Sequence, residues 1–211
     1  MTGKFITFEG IDGSGKTTQI DLLEEQLITN NIPYLILREP GGTKLSEKIR
    51  NILLDSKNIH LSPESESLLF VSARAQLMQE KIQPALEKEK FVICDRFADS
   101  TVAYQGFGRG LNVQYLEELN NFSTNNIFPD LTIILDIEPR EAAKRIQHVE
   151  PDRMESIGLD FFQRVQEGYY EIANKNSNRC VIINGNQPSE EVFKLVYKEI
   201  KKKFLEEIIC T

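Results

Sequence analysis

The sequence predicts an α/β fold, a doubly wound five-stranded parallel sheet flanked by helices, with a small lid. Three observations carry this. Five short runs, Lys4–Phe8, Tyr34–Leu37, Phe91–Cys94, Leu131–Leu135 and Cys180–Ile183, are nearly all apolar and rich in Ile, Val, Leu or Phe, as strands buried on both faces are. Segments with helical apolar spacing lie between them and supply right-handed crossovers. The first run opens through a glycine loop into a helix, KFITFEGIDGSGKTTQ, Lys4–Gln19. Such sheets hold ligands at the C-terminal ends of their strands, so the residues just after each run are the site candidates.

The first loop has the form G-x-x-x-x-G-K-T: Gly10, Ile11, Asp12, Gly13, Ser14, Gly15, Lys16 and Thr17. Its backbone can turn several N–H groups onto one phosphate, and it leads into a helix N-terminus, which favours anions. Lys16 can reach the outer phosphates and the Thr17 hydroxyl can ligate Mg²⁺. Glu9, before the loop, is a candidate to hold Mg²⁺ through water, or else an ordinary acid. Asp12 would be repelled by a triphosphate and should point toward a second substrate.

A helix follows over about Lys16–Asn30, with Ile20, Leu23 and Leu27 on one face. The second run ends in Arg38-Glu39-Pro40-Gly41-Gly42-Thr43; Arg38 is either a phosphate ligand or a surface charge. Lys44–Leu54 is the next helix. Ser62-Pro63-Glu64 opens a long one to about Glu87, with Ser62 as N-cap and Pro84 set to kink or end it. On this helix Phe70 and Arg74 stand one turn apart on one face. Phe70 can stack on a base or fill a core; Arg74 can bond a base edge.

The third run ends in Asp95-Arg96, followed by Ser100, Thr101, Tyr104, Gln105 and a mobile or tightly curled loop holding Gly106, Gly108 and Gly110. Arginine suits a phosphate clamp and the neighbouring acid suits a metal or nucleophile; a plain Asp95–Arg96 salt bridge is the alternative, though adjacent side chains rarely face each other. After the fourth run come Asp136 and a helix from Pro139. Arg145, His148 and Arg153 stand around a Val149-Glu150-Pro151 break, either a lid over a transferring phosphate or an exposed hairpin with ordinary charges. Helices over Leu159–Ala173 and Ser189–Leu205 complete the chain, the Lys201–Lys203 run being a solvated face.

The 211 residues fit one domain, with 40% hydrophobic and 27% charged residues. A net charge of −7 argues against a general nucleic-acid binder. Cys94, Cys180 and Cys210 are odd in number and widely spaced, and only His60 and His148 are present, which points to a reducing compartment without a zinc site. No signal region opens the chain and no run approaches a membrane span, so a cytoplasmic protein without membrane or nucleic-acid partners is expected.

FEGIDGSGKTTQ, REPGGT, FVSAR, DRFADSTVAYQGFGRG and PDLTIILDIEP together resemble the bacterial thymidylate kinases, P-loop nucleoside monophosphate kinases of α/β fold, over about Lys4–Tyr170. The resemblance implies a homodimer that makes dTDP from dTMP and ATP with Mg²⁺, for dTTP synthesis. Gly10 to Thr17, with Thr18, would bind the ATP phosphates. Asp12 would hold the sugar 3′-OH, Phe70 would stack on thymine and Arg74 would bond its carbonyl edge. Ser100, Thr101 and Gln105 would line base and sugar, with Tyr104 against the 2′ position. Arg38 and Arg96 would grip the acceptor phosphate, and Asp95 and Glu9 would organise Mg²⁺. Arg145 and Arg153 would come from a lid at about 144–158, and Tyr169 would approach the nucleotide. The loop position filled by arginine in some relatives is Gly13 here, which moves the search for the catalytic cation to that lid. Kinases for another monophosphate or a deoxynucleoside, and a P-loop switch acting through a partner, are the rival readings.

Overall fold

A computed structural model describes residues 3–147 and 152–208; His148, Val149, Glu150 and Pro151 of the expected lid lie outside the described residues. The five strands are β1 (Lys4–Glu9), β2 (Tyr34–Arg38), β3 (Phe91–Asp95), β4 (Leu131–Asp136) and β5 (Cys180–Asn184). They form one all-parallel sheet in the order β2-β3-β1-β4-β5. Each strand runs one residue beyond its apolar stretch. The added residues, Glu9, Arg38, Asp95, Asp136 and Asn184, are the polar ones at the ligand-binding edge. A hydropathy pattern stops short of them, whereas the sheet's hydrogen bonding does not.

The helices are α1 (Lys16–Thr29), α2 (Lys44–Leu54), α3 (Pro63–Leu77), α4 (Gln83–Glu87), α5 (Ala98–Thr101), α6 (Val113–Thr124), α7 (Pro139–Ile146), α8 (Leu159–Lys175) and α9 (Ser189–Ile208). Their starts follow local chemistry. Thr43 Oγ1 accepts the Ser46 N–H at 3.0 Å before α2. Ser62 caps α3, which has Pro63 at its first turn. The expected helix to Glu87 is interrupted by a π-helical turn at Met78–Ile82. Pro84 has no N–H for the Glu80 carbonyl, and the wider turn takes up the mismatch. The glycine-bearing segment after β3 is tightly curled, a π-helix over Val102–Gly108 that continues α5. Helix α6 was not expected; its marker is Asn112, whose Oδ1 accepts the Tyr115 N–H.

Alternation along the strands splits the core in two. Ile6, Phe8, Ile93 and Ile133 pack on one face beneath α1 and α9, with Leu23, Val196 and Ile200. Phe5, Val92 and Cys94 pack on the other, with Leu77, Met78 and Phe97. Ile134 joins Val102, Phe161, Val165 and Tyr169 beneath α5 and α8. No helix among the described residues is long and apolar enough to cross a membrane.

Candidate active site

The phosphate loop curls between β1 and α1. Gly10, Gly13 and Gly15 all have positive φ. At Gly13, with φ +81°, a Cβ would stand 2.5 Å from the Ala142 carbonyl oxygen of α7. No side chain, arginine included, fits there without shifting the helix. Lys16 is buried and its Nζ donates to the carbonyls of Gly10 (3.2 Å) and Ile11 (3.1 Å). Burial, then the nearby Arg96 charge, lowers its pKa. Thr17 and Thr18 are exposed beside it.

A cleft of about 480 Å³ runs over this loop, lined also by Arg38, Asp95, Arg96 and Arg145. Arg145 reaches across from α7, with Nη1 donating to Gly13 O (3.3 Å) and Nη2 to Gly185 O (3.0 Å). Arg38 is at the rim, half exposed, and paired with Glu47 at 3.1 Å. The buried Asp95 Oδ1 has no partner, and Thr17 lines the same cleft as Asp95. One carboxylate oxygen and one hydroxyl, with room for water, suit Mg²⁺.

Glu9 does not join them. It is fully buried, accepting the Phe97 N–H at 2.7 Å and the hydroxyls of Ser100 and Tyr169. Burial, reinforced by the charge of Asp99, raises its pKa to about 7 against the opposing Ser100, Arg96 and Tyr169 contacts. Glu9 was a candidate to hold Mg²⁺ through water; here its carboxyl bonds the start of α5. Tyr169 likewise sits behind the site, 2% exposed, bonded to Glu9 (2.9 Å) and Ser100 (3.0 Å).

A second cavity opens beside the first. Phe70, Arg74, Arg96, Ser100, Thr101, Tyr104 and Gln105 line it, together with Asp12. Phe70 is partly buried and also packs on the Ile49, Leu53 and Ala73 cluster. Arg74 is fully buried. Its guanidinium donates to Glu39 Oε2 (2.8 Å), Asn120 Oδ1 (2.6 Å), Phe97 O (3.1 Å) and Thr101 Oγ1 (2.9 Å). One N–H on Nη1 remains for a ligand. The buried Tyr104 hydroxyl has no partner, and Arg96 lies 5.0 Å over its ring. Arg96 takes a left-handed backbone, φ +68°, which swings its side chain back to Gly10 O (2.8 Å) and Asp12 Oδ1 (2.6 Å). Such strain in a non-glycine residue clusters at functional sites.

Arg153 is not with the phosphates. It is 5% exposed, its Nε on Leu53 O (2.6 Å) and its Nη1 on Glu66 (2.7 Å). Burial lets the fork bond α2 and α3, and it turns the charge away from the phosphate loop. Of the two expected lid arginines, only Arg145 faces the donor cleft. Arg50 and Glu66 were not anticipated. Arg50 lines both cavities and donates to Pro40 O at 3.0 Å. Its signal is its place one turn before Leu54, which lines the acceptor side. Glu66 stands one turn before Phe70 on the same helix. A separate cavity of about 570 Å³ between α6 and α8 lies away from the strand ends.

The two adjoining cavities share Asp12, Glu39, Arg50 and Arg96, so one wall borders both. The family model described as thymidylate kinase matches residues 8–196. A curated thymidylate kinase from Thermoanaerobacter sp. (strain X514) is 50% identical over 202 residues, 96% of this chain and 99% of that protein. One from Clostridium novyi (strain NT) is 44% identical over 92% of this chain and 96% of its own length. The crystal structure of the Ehrlichia chaffeensis thymidylate kinase superposes with a TM-score of 0.78 at 37% identity, covering 95% of this chain and all of that one. By fold and by sequence along nearly its whole length, the chain belongs to the thymidylate kinase family.

Proposed function

We propose that the chain transfers the γ-phosphoryl group of ATP to dTMP, giving dTDP and ADP and feeding dTTP synthesis. The observation that carries this is the junction of the two cavities at Asp12, Arg50 and Arg96. An acceptor phosphate held there lies beside the outer phosphates of a nucleotide on the loop. Its oxygen attacks the γ-phosphorus in line and the bond to the ADP oxygen breaks. The protein's work is positioning and charge stabilisation. The loop's N–H groups and Lys16 hold the donor, Arg145 closes its flank, and Arg38, Arg50 and Arg96 gather the acceptor phosphate. Phe70 stacks on the base, the free Arg74 N–H meets its carbonyl edge, and Ser100, Thr101, Tyr104 and Gln105 enclose base and sugar. Asp12 takes the 3′-OH. Thr17 and Asp95 would hold Mg²⁺, which when bound shields the phosphate charge.

The whole chain acts as one domain with its lid at about 144–158, in the cytoplasm; the free, buried thiols of Cys94 and Cys180 support a reducing location. It works as a homodimer. Leu45 and Ile52 on α2, Leu68 on α3, and Tyr115 and Phe122 on α6 are exposed apolar residues on three helices packed side by side. The two flanking pairs are each two turns apart and so share a face. Phe122, 82% exposed, is the position where a charge should split the dimer.

ADP release measured with dTMP, dUMP, dCMP, dGMP and thymidine tests the reading. Strong preference for dTMP is expected; ATP hydrolysis that no acceptor stimulates would overturn it.

A further inference from the structure

Glu66 on α3 is wholly buried and takes no part in the chemistry above. Its Oε1 accepts Gln105 Nε2 (2.9 Å) and Arg109 Nε (3.2 Å). Its Oε2 accepts Arg109 Nη2 (2.9 Å) and meets Arg153 Nη1 (2.7 Å). These donors come from two places. Gln105 and Arg109 belong to the curled segment after β3 that lines the acceptor cavity. Arg153 belongs to the lid root, where its N–H bonds Leu54 O at 3.3 Å and its Nε bonds Leu53 O.

A buried ion pair is weak evidence for stability, because desolvation offsets the attraction. Its geometry is more telling. Asp152 and Met154 flank Arg153, and both line the acceptor cavity, as Gln105 does. Arg153 does not line it, but its Nη2 lies 3.3 Å from Met154 Sδ, and Arg109 Nη2 lies 3.9 Å from the same sulfur. Pinning Arg153 and Arg109 to Glu66 therefore fixes the two guanidinium groups that hold the Met154 side chain at the cavity wall. The carboxylate also separates two guanidinium groups. Without its charge, Arg109 and Arg153 would repel each other across a buried gap.

We propose that Glu66 is a positioning residue that latches the lid root, through Arg153, to the acceptor-lining segment, through Gln105 and Arg109, so that both walls of the acceptor cavity are set by one carboxylate. The occupant of that cavity, dTMP, is taken from the functional reading above; the latch itself is not.

The test uses the full chain and the variant Glu66→Gln, which keeps the shape and removes the charge. Hydrogen exchange without nucleotide is measured at the amides of Arg153 and Met154. Loss of protection by about tenfold or more is expected, with the β1 and β3 amides unchanged. In steady-state kinetics the KM for dTMP rises about tenfold, as loss of a charged hydrogen bond predicts, while the KM for ATP stays within about twofold. Arg153→Lys keeps the charge but not the fork; it shifts both readouts the same way by less, and adds little on top of Glu66→Gln. Unchanged exchange at the lid root overturns the latch. So do equal rises in both KM values, or effects of the two substitutions that multiply. If wild-type protein releases no ADP in response to dTMP, the functional reading fails while the exchange experiment still decides the latch. If Glu66→Gln does not fold, Arg153→Lys carries both readouts alone.

Discussion

Asp12 and Arg96 meet at 2.6 Å across the mouth of the phosphate loop, one from the turn after β1 and the other from the turn after β3. Both residues line the two adjoining cavities. Burial by itself would raise the Asp12 pKa, but the charges of Arg96 and Lys16 outweigh it and hold the carboxyl at about 2. A depressed carboxylate stabilises the fold above its unfolded value near 3.8, and that stabilisation is lost as pH falls through about 2. Asp12 is therefore ionised at any pH where the enzyme works.

Asp12→Asn removes the charge that orients Arg96 and, on the proposed reading, the contact to the sugar. The KM for dTMP should rise about tenfold, as loss of a charge-assisted hydrogen bond implies, with a smaller change for ATP. Isothermal titration of dTMP and of a non-hydrolysable ATP analogue separates the two. Equal losses for both would count against the shared-wall role.

Lys16→Met removes the loop cation proposed to hold the outer phosphates. Transfer should fall by roughly a thousandfold or more, the scale of losing an aligned electrostatic contact in a dry site. The fold should survive, because Lys16 bonds only its own loop's carbonyls among the described contacts, apart from a 3.9 Å approach to Asp12. Circular dichroism and an ADP-release assay check the two halves together. Near-normal turnover would sink the mechanism.

Gly13→Ala should shift α7 and with it Arg145. The left-handed φ alone disfavours any side chain by roughly 1–2 kcal/mol, and the added Cβ meets the Ala142 carbonyl oxygen at 2.5 Å. A lower Tm together with a raised KM for ATP is expected from thermal melts and kinetics. An unchanged KM for ATP would mean that Arg145 does not depend on this packing.

Glu9 should make stability fall as pH rises. Its folded pKa of about 7 lies above the ordinary 4.5, because burial and the Asp99 charge disfavour the ionised form. Between those values the native state holds a proton that the unfolded chain has released, so stability declines across that window and the penalty is complete above it. Glu9→Gln lacks this titration. Urea denaturation should show the variant gaining on the wild type by roughly 1–3 kcal/mol between about pH 5 and about pH 8. A difference that does not vary with pH would place the Glu9 pKa near its ordinary value.

The strands and the phosphate loop were legible because local rules govern them: apolar runs for buried strands, glycines for the turn, and a lysine and threonine at fixed offsets. The acceptor side was legible only by resemblance, since Phe70 on an apolar helix face reads equally as core. Glu9 and Arg153 read as site residues from their positions beside a strand end and in a lid. Their burial, which decides the direction of each side chain, comes from the packing of α8 and of α2 with α3, contacts between residues as far apart as Glu9 and Tyr169. Arg50 and Glu66 were missed because a charged residue on an amphipathic helix is ordinarily solvent-facing. Only their one-turn offsets from Leu54 and Phe70 betray which way they face.

Arg74 holds the acceptor site together as well as facing it, which complicates any simple truncation. Arg74→Ala removes four hydrogen bonds and strands the buried Glu39 carboxylate, whose Oε1 already lacks a partner. Breaking one side of a buried pair destabilises by about 3–5 kcal/mol, so lost dTMP binding in that variant alone would not separate folding from recognition. Replacing both partners does. Arg74→Met combined with Glu39→Gln leaves no stranded charge, and stability should return most of the way. The N–H offered to the base is still gone, so dTMP affinity should remain about tenfold or more below wild type with ATP affinity nearly intact. Chemical denaturation gives the first quantity and calorimetric titration the second. A double variant that regains both stability and dTMP affinity would show that Arg74 supports the cavity without reading its occupant.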